Sequence, residues 1–377
     1  MATLDAALEA KRNSFNLVRL AAAAAVVVSH SFALLHGEIV GEPLSAATPY
    51  TLGQHAVNVF FVLSGVMVSR SWALNPDLKR FAAARLLRIY PGLVACGLVT
   101  ALVFGALGTT VPLATYFANR DTLLYPLEVG LRFNQAGLDG VFQAGTKPGA
   151  VNASLWTIKY ELAAYVAFAG AAALGLMRRR SFVLAAPLVL ALAVVGIDVA
   201  GLSARWPGLE PPGRFFLSFA FGLAAYALRD RVTLRWDVLA ALGALALASR
   251  GSPVEEPTFI LFTGYGALVA GGLVIPRVSA WTGRTDLSYG LYLYAWPIQQ
   301  LLLHRLPDID LGLHVALSMA LSLACAALSW PLVERPALEL KRRLGRRPVP
   351  TIGENAIVNV SGRPAPASPV VGTRHNW

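Results

Sequence analysis

Residues 15–35 have the sequence FNLVRLAAAAAVVVSHSFALL. The stretch is long enough to cross a bilayer, because a spanning helix needs about 20 predominantly apolar residues. Nine later segments share this apolar character: 56–73, 85–107, 154–176, 181–200, 212–228, 234–249, 257–275, 286–305 and 312–333. We therefore predict an all-α integral membrane protein, a polytopic bundle of about ten transmembrane helices.

The composition supports this fold class. Apolar residues make up 56% of the 377 positions, charged residues make up only 14%, and the mean hydropathy is +0.56. A soluble domain usually carries about 25% charged residues. The net charge of +11 would suit nucleic acid on a soluble protein, but here the basic residues lie between apolar runs. We expect membrane lipid as a partner and no nucleic acid.

The positions of the basic residues predict the topology. Most of the 32 Lys and Arg residues fall in alternate connecting segments, and cytoplasmic loops of membrane proteins are enriched in these residues. This pattern favours an even number of spans with both termini in the cytoplasm. We predict a cytoplasmic N-terminus over 1–14, a membrane domain over 15–336, and a basic cytoplasmic tail over 337–377. The tail is rich in Pro, Gly, Ser and Arg, which favours disorder.

Two ionisable residues lie on one face of the first span. Arg19 and His30 are eleven residues apart, which is about three helical turns and about 16 Å along the axis. Ionisable groups inside a span cost about 2.5–3.5 kcal/mol each on insertion scales, so they are candidates for function. Histidine exchanges a proton near neutral pH and suits either a general base or a transporter's proton relay. Alternatively, Arg19 extends to the lipid headgroups and His30 bonds a neighbouring helix.

Further candidates follow along the chain. Glu161 and Tyr165 share a helix face at i, i+4, and Glu161 is either functional or a structural buried carboxylate. Arg85 and Arg88 stand at i, i+3 before the third span, where they either bind a phosphorylated ligand or anchor the topology. Glu334 is expected to form an interfacial ion pair with its neighbour Arg335.

The remaining special residues have simpler interpretations. Cys96 and Cys325 lie in apolar stretches and are expected to be small core residues. No histidines have metal-ligand spacing, so we expect no metal. Most boundary aromatics are expected to form an interfacial belt, although stacking on a sugar is an alternative. These aromatics are Trp156, Trp206, Tyr292 and Trp296.

Six segments together resemble membrane acyltransferase family 3, the bacterial O-acyltransferases of cell-surface saccharides. Each segment alone is a weak signal, but the six occur in the family's order and cover all the predicted spans. The segments are Arg19 with His30, Asn58-Val-Phe-Phe-Val-Leu-Ser-Gly65, Arg85-Leu-Leu-Arg88-Ile-Tyr-Pro91, Ser154-Leu-Trp-Thr-Ile-Lys-Tyr-Glu161, Ser288-Tyr-Gly-Leu-Tyr-Leu-Tyr-Ala-Trp-Pro297 and Glu334-Arg-Pro336. Three positions, Asn58, Ala153 and Ala295, depart from the residues common in the family.

The resemblance implies transfer of an acyl group, usually acetyl, from cytoplasmic acyl-CoA to a saccharide hydroxyl presented at the outer side of the bacterial inner membrane. It implies His30 as general base, assisted by Glu161 and Arg19. Arg85, Arg88 and Arg19 would hold acyl-CoA, which enters as co-substrate. The expected substrate contacts are Asn152, Trp156, Tyr165 and Ser64, and Ser64 is either a transient acyl carrier or a packing residue beside Gly65. A flippase or transporter of a lipid-linked saccharide is the alternative.

Overall fold

The computed structural model describes residues 2–10, 13–37 and 41–344, and these residues form a helical bundle. Within these ranges there is no sheet, only two isolated bridges. The α-helices are α1 Leu4–Glu9, α2 Phe15–His36, α3 Leu52–Leu74, α4 Leu78–Val99, α5 Ala106–Gly108, α6 Leu113–Ala118, α7 Arg120–Arg132, α8 Ile158–Ala173, α9 Arg180–Val199, α10 Leu202–Arg205, α11 Glu210–Ala227, α12 Trp236–Ala248, α13 Glu255–Gly272, α14 Pro276–Thr282, α15 Ser288–Arg305, α16 Leu311–Ser329 and α17 Arg335–Leu344. Two π-helical turns, Thr100–Gly105 and Trp330–Glu334, extend α4 and α16.

Each of the ten predicted segments overlaps one of the longer helices, which are α2, α3, α4, α8, α9, α11, α12, α13, α15 and α16. Five helical stretches are long and apolar enough to cross a membrane: Phe15–His36, Leu52–Leu74, Leu78–Gly108, Arg180–Val199 and Leu311–Leu340. A sixth is obtained if α13 and α14, which meet at a bend of 105°, count as one span. Others are short, such as α8 with 16 residues and α12 with 13. The number ten and the cytoplasmic termini therefore stay predictions.

Polar residues set where several helices begin. The Thr51 hydroxyl accepts from the backbone N–H of Gln54, whose side-chain oxygen accepts from the N–H of Thr51. This capping box satisfies two N–H groups that have no partner within the helix. Asp77 caps α4 and Asp310 caps α16 in the same position. These helices therefore begin next to polar residues, which a hydropathy window assigns to a loop.

Helices α3 and α11 approach closely because glycines face each other at their crossing. A Cβ added to Gly65 would lie 2.2 Å from the carbonyl oxygen of Phe219. A Cβ added to Gly222 would lie 2.1 Å from the carbonyl oxygen of Val62. Backbone atoms cannot move aside as a flexible side chain can. The crossing therefore requires glycine at both positions.

Helices α2 and α15 run side by side in the same direction. Arg19 near the start of α2 pairs with Asp286, which immediately precedes α15. Further along, the Gln299 side chain donates to the Val27 carbonyl and to the Ser31 hydroxyl, both at 2.8 Å. The two helices therefore contact each other at corresponding positions along their lengths.

The ends of the chain are only partly described. Asp5 of α1 pairs with Arg229 at 2.7 Å, which attaches the N-terminal helix to the end of α11. The predicted tail over 337–377 begins as part of α17, which continues to Leu344. Residues 345–377 lie outside the described residues, as do residues 1, 11 and 12 of the predicted N-terminus.

Gly222→Ala is expected to destabilise the bundle by about 1–3 kcal/mol, the usual cost of overpacking. The measurement is unfolding of the purified protein in detergent. Gly170→Ala is the matched control, because a methyl group on this helical glycine meets no atom within 4 Å. Equal stability of the two variants would show that α3 and α11 do not cross at these glycines.

Candidate functional site

One carboxylate joins two arginines from different helices. Oδ2 of Asp286 accepts from Nη2 of Arg88 at 2.7 Å and lies 3.3 Å from Nη1 of Arg19. Its Oδ1 accepts from the Ser288 hydroxyl at 2.5 Å. The pairs are largely buried, with the Asp286 side chain 10% exposed. Two like charges are thus held together by the opposite charge between them.

Arg85 lies one turn before Arg88 but has different neighbours. Its guanidinium lies 5.6 Å from the ring centre of Phe81 and 5.4 Å from that of Tyr165, within the range of cation–π contacts. Its buried Nε has no hydrogen-bond partner among the described residues. Unlike Arg88, this guanidinium is held by aromatic faces and keeps its donors for another group.

Glu161 lies on α8, facing the same region. The Tyr165 hydroxyl donates to its Oε1 at 2.5 Å, which fixes the carboxylate through a neighbour one turn along the helix. The sequence analysis predicted that these two residues share a face, and the hydrogen bond confirms it.

Two adjoining cavities meet at these residues. The arginine cavity has a volume of about 710 Å³ including the space open to solvent, and its lining is Arg19, Leu63, Ser64, Met67, Ala84, Arg85, Arg88, Glu161, Tyr165, Asp286 and Leu338. The deep cavity has about 600 Å³ on the same measure, and its lining is Arg19, Val57, Phe60, Phe61, Ser64, Arg88, Ile89, Thr157, Ile158, Glu161, Ser288, Tyr289 and Tyr292. Four residues line both: Arg19, Ser64, Arg88 and Glu161. A charged chamber therefore continues into a mostly apolar one.

His30 lies beyond the far end of the deep cavity. Its ring makes an edge contact with the Trp296 ring, with centroids 4.9 Å apart. The Trp296 indole N–H donates to the Ala150 carbonyl at 2.8 Å. Although His30 is within the described part of the chain, it lines neither cavity. Its buried Nδ1 has no hydrogen-bond partner among the described residues.

Asn152 and Trp156 also lie away from the linings of both cavities. Pro297 has no N–H, so it leaves the Leu293 carbonyl of α15 without its helical partner. The Asn152 amide donates to that carbonyl at 2.9 Å. Trp156 packs on Phe215, with ring centroids 5.5 Å apart. Of the predicted substrate contacts, the structure therefore brings only Ser64 and Tyr165 to the cavities.

Known proteins are similar to this chain over most of its length. The family described as an acyltransferase domain, acyltransferase family 3, matches residues 12–331. The chain is 29% identical over 340 residues to an O-acetyl transferase of Shigella phage Sf6, covering 86% of this chain and 96% of that protein. It is 28% identical over 369 residues to nodulation protein 10 of Rhizobium leguminosarum bv. viciae, covering 89% and 96%. No solved structure matches the chain.

The chain belongs to acyltransferase family 3. This confirms the resemblance found in the sequence, and it makes the protein an enzyme that transfers acyl groups. The apolar helices and the family together indicate a multi-pass membrane protein. A flippase is correspondingly disfavoured.

Two predictions about this acyltransferase are wrong. Glu334 does not pair with Arg335: its carboxylate is 3% exposed and accepts from the Ser329 hydroxyl at 3.0 Å, while Arg335 pairs with Glu339. The π-helical turn that ends at Glu334 carries this side chain inward. Tyr292 and Trp296 are not interfacial belt residues either, because both are buried within the bundle.

Asp286 and Thr157 are cavity residues that the sequence analysis did not single out, and Tyr292 is a cavity residue that it assigned to the interfacial belt. Asp286 had a signal, since an acidic residue at the start of an apolar segment is costly to insert. Thr157 is uncharged and gave none. Among the described residues, no group of three His, Cys, Asp or Glu is arranged to hold a metal ion.

Asp286→Asn is expected to destabilise the acyltransferase by about 1–3 kcal/mol. The change leaves Arg19 and Arg88 without their shared counter-charge, and the cost stays below the 3–5 kcal/mol of a fully buried pair because both arginines reach solvent in part. Unfolding in detergent measures the effect. Asp237→Asn is the control, because it removes a carboxylate from an exposed arginine pair. An unchanged midpoint for Asp286→Asn would contradict a structural role for the shared carboxylate.

Proposed function

We propose that this acyltransferase moves an acetyl group from cytoplasmic acetyl-CoA to a hydroxyl of a cell-surface or lipid-linked saccharide in the bacterial inner membrane. One observation carries the proposal: a cavity lined by three arginines adjoins an apolar cavity inside a helical bundle. The phage relative is an O-acetyl transferase, which supports acetyl as the group transferred.

The arginine cavity suits the phosphates of coenzyme A. Guanidinium groups bind phosphate through paired N–H donors, and such charge-assisted bonds are stronger than neutral ones. Arg85 is the most available of the three, since Arg19 and Arg88 share Asp286. The remaining part of the donor would extend past Ser64 into the deep cavity, so that Ser64 is a contact residue in this proposal.

His30 serves as the general base. It takes the proton of the acceptor hydroxyl as the oxygen attacks the thioester carbon. A carbon–oxygen bond forms, the carbon–sulfur bond breaks, and the proton passes to the departing thiolate, which leaves as coenzyme A. We assign Glu161 and Tyr165 to the donor rather than to the imidazole, because Glu161 lines both cavities and His30 lines neither. Arg19 and Arg88, which also line both cavities, hold the donor as well.

A flippase for a lipid-linked saccharide is the second candidate. It would use a buried histidine as a proton relay, but the family to which the chain belongs transfers acyl groups. The two functions differ in one measurable product. Only the transferase forms free coenzyme A in proportion to acylated saccharide.

His30→Ala is expected to abolish acetylation, by at least about 100-fold for loss of a general base, while acetyl-CoA still binds. The readouts are mass spectrometry of surface glycans from a complemented deletion strain and donor binding to the purified protein. His36→Ala is the matched control on the same helix, where the side chain is exposed. Acetylation that survives in His30→Ala would remove this residue from the mechanism.

Arg85→Ala is expected to weaken acetyl-CoA binding by about 10-fold or more, since a hydrogen bond to a charged group contributes about 1.5–3 kcal/mol. Titration of the purified protein with acetyl-CoA measures the loss. Lys79→Ala removes an exposed positive charge from the same helix, outside the lining of either cavity, and should leave the affinity unchanged. Equal affinities for both variants would place the donor elsewhere.

A further inference from the structure

Tyr292 fills the space between the deep cavity and His30. In order along one face, α2 carries Arg19, Ala22, Val26 and His30. The Tyr292 ring packs in one apolar cluster with Ala22 and Val26, between the levels of Arg19 and His30. The next turn of α15 brings Trp296 against His30. Tyr292 therefore lines the deep cavity at the end that faces the imidazole.

The Tyr292 ring is held in this position by its hydroxyl group. The hydroxyl donates to the Ser154 carbonyl at 2.7 Å. The same hydroxyl oxygen lies 2.7 Å from Oγ1 of Thr157. Because the tyrosine proton is donated to Ser154, the Thr157 hydroxyl is the donor in this second bond. Phe60 makes an edge contact on the ring, with centroids 6.1 Å apart. Moving the ring breaks two buried hydrogen bonds, each contributing about 0.5–1.5 kcal/mol net.

A transferase of this kind has to keep water from its donor. Any route that admits a saccharide hydroxyl to His30 also admits water, and a base that activates the hydroxyl activates water equally well. Water would attack the thioester carbon, break the carbon–sulfur bond, and release acetate, coenzyme A and a proton. The exclusion of water from reactive intermediates is a general task of closed active sites.

We propose that Tyr292 is a positioning residue that keeps the donor thioester apart from His30 until the acceptor is bound, and so suppresses hydrolysis of acetyl-CoA. The inference rests on the proposed function, because it takes acetyl-CoA as the ligand of the deep cavity and His30 as the base. Through the two hydrogen bonds, Ser154 and Thr157 determine the position of the ring. Both residues lie in the turn that precedes α8, next to the connecting segment whose Ala150 carbonyl accepts from Trp296, the neighbour of His30.

The test compares water and saccharide as acceptors. Wild type, Tyr292→Phe, Tyr292→Ala and Thr157→Val are purified into proteoliposomes and supplied with acetyl-CoA. Release of free coenzyme A thiol is measured without a saccharide acceptor, and acetyl transfer is measured with one. Tyr294→Phe is the matched control, because Tyr294 is equally buried on the same helix and lies outside the lining of both cavities.

The expected result is a leak, meaning hydrolysis of acetyl-CoA without a saccharide acceptor, whose rate differs among the variants. Tyr292→Phe keeps the ring but loses both hydrogen bonds, so acceptor-free hydrolysis should rise by several-fold, on the scale of about 2–10-fold per lost bond. Thr157→Val loses one bond and should give a smaller rise. Tyr292→Ala removes the partition, which is the Tyr292 ring between the deep cavity and His30, and should give the largest rise. Adding His30→Ala to Tyr292→Ala should return hydrolysis to background, since the leak depends on the imidazole. Tyr294→Phe should hydrolyse no more than wild type.

Three other results would contradict the proposal or the function on which it rests. If Tyr292→Phe and Thr157→Val bind acetyl-CoA as wild type does and hydrolyse no more of it, the partition does not exist. These two variants decide the matter even where Tyr292→Ala does not fold. A leak that persists without His30 would show that Tyr292 excludes water from a different base and would overturn the inference. A wild-type protein that neither binds acetyl-CoA nor transfers acetyl overturns the proposed function itself, which this binding control separates from failure of the partition alone.

Discussion

The shared carboxylate of Asp286 is the interaction on which the rest of the site depends. Without it, Arg19 and Arg88 would present two positive charges to each other in surroundings of low dielectric, where repulsion is strong. With it, α2, α4 and the start of α15 are joined at one end of the bundle. This junction sets the register of α2 against α15, and the register places Tyr292 and then Trp296 at successive levels toward His30. It also distinguishes Arg85, whose guanidinium has aromatic neighbours and no bound carboxylate.

Hydropathy predicted where the helices lie better than where they end. The segment predicted over 15–35 is α2, Phe15–His36, almost to the residue. In contrast, α3 starts four residues before its predicted segment because the capping box at Thr51 begins the helix among polar residues. The bend between α13 and α14 was not predicted, because the predicted span ended at residue 275 and α14, Pro276–Thr282, falls between two predicted spans. Apolar composition marks residues that lipid or a core accepts, whereas caps and bends depend on backbone hydrogen bonding.

The candidate site was predictable only where one helix carries the information. Arg85 with Arg88, and Glu161 with Tyr165, are neighbours on a single helix, and spacing alone predicted that the members of each pair lie on one helix face. Asp286 meets Arg88 across 198 positions of sequence, and nothing local predicts such a pair. The eleven-residue interval between Arg19 and His30 likewise gave their separation along α2. It gave no information about the side chain that a different helix places in the interval.

The separation between Arg19 and His30 along α2 is what makes chemistry across a membrane physically possible. Under the proposed function, an acyl donor and a hydroxyl acceptor arrive from opposite compartments and must meet inside the bilayer, yet a permanently open passage between them would admit water and ions. The cavities run from the arginine cluster to Tyr292 and include neither His30 nor Trp296. A residue that is apolar over its ring and polar at its tip suits this boundary, because the ring excludes water while the hydroxyl is held by the backbone of another helix. In the proposed mechanism, His30 and the donor site are connected only when the ring moves, so that reaction depends on a local rearrangement and not on a standing channel.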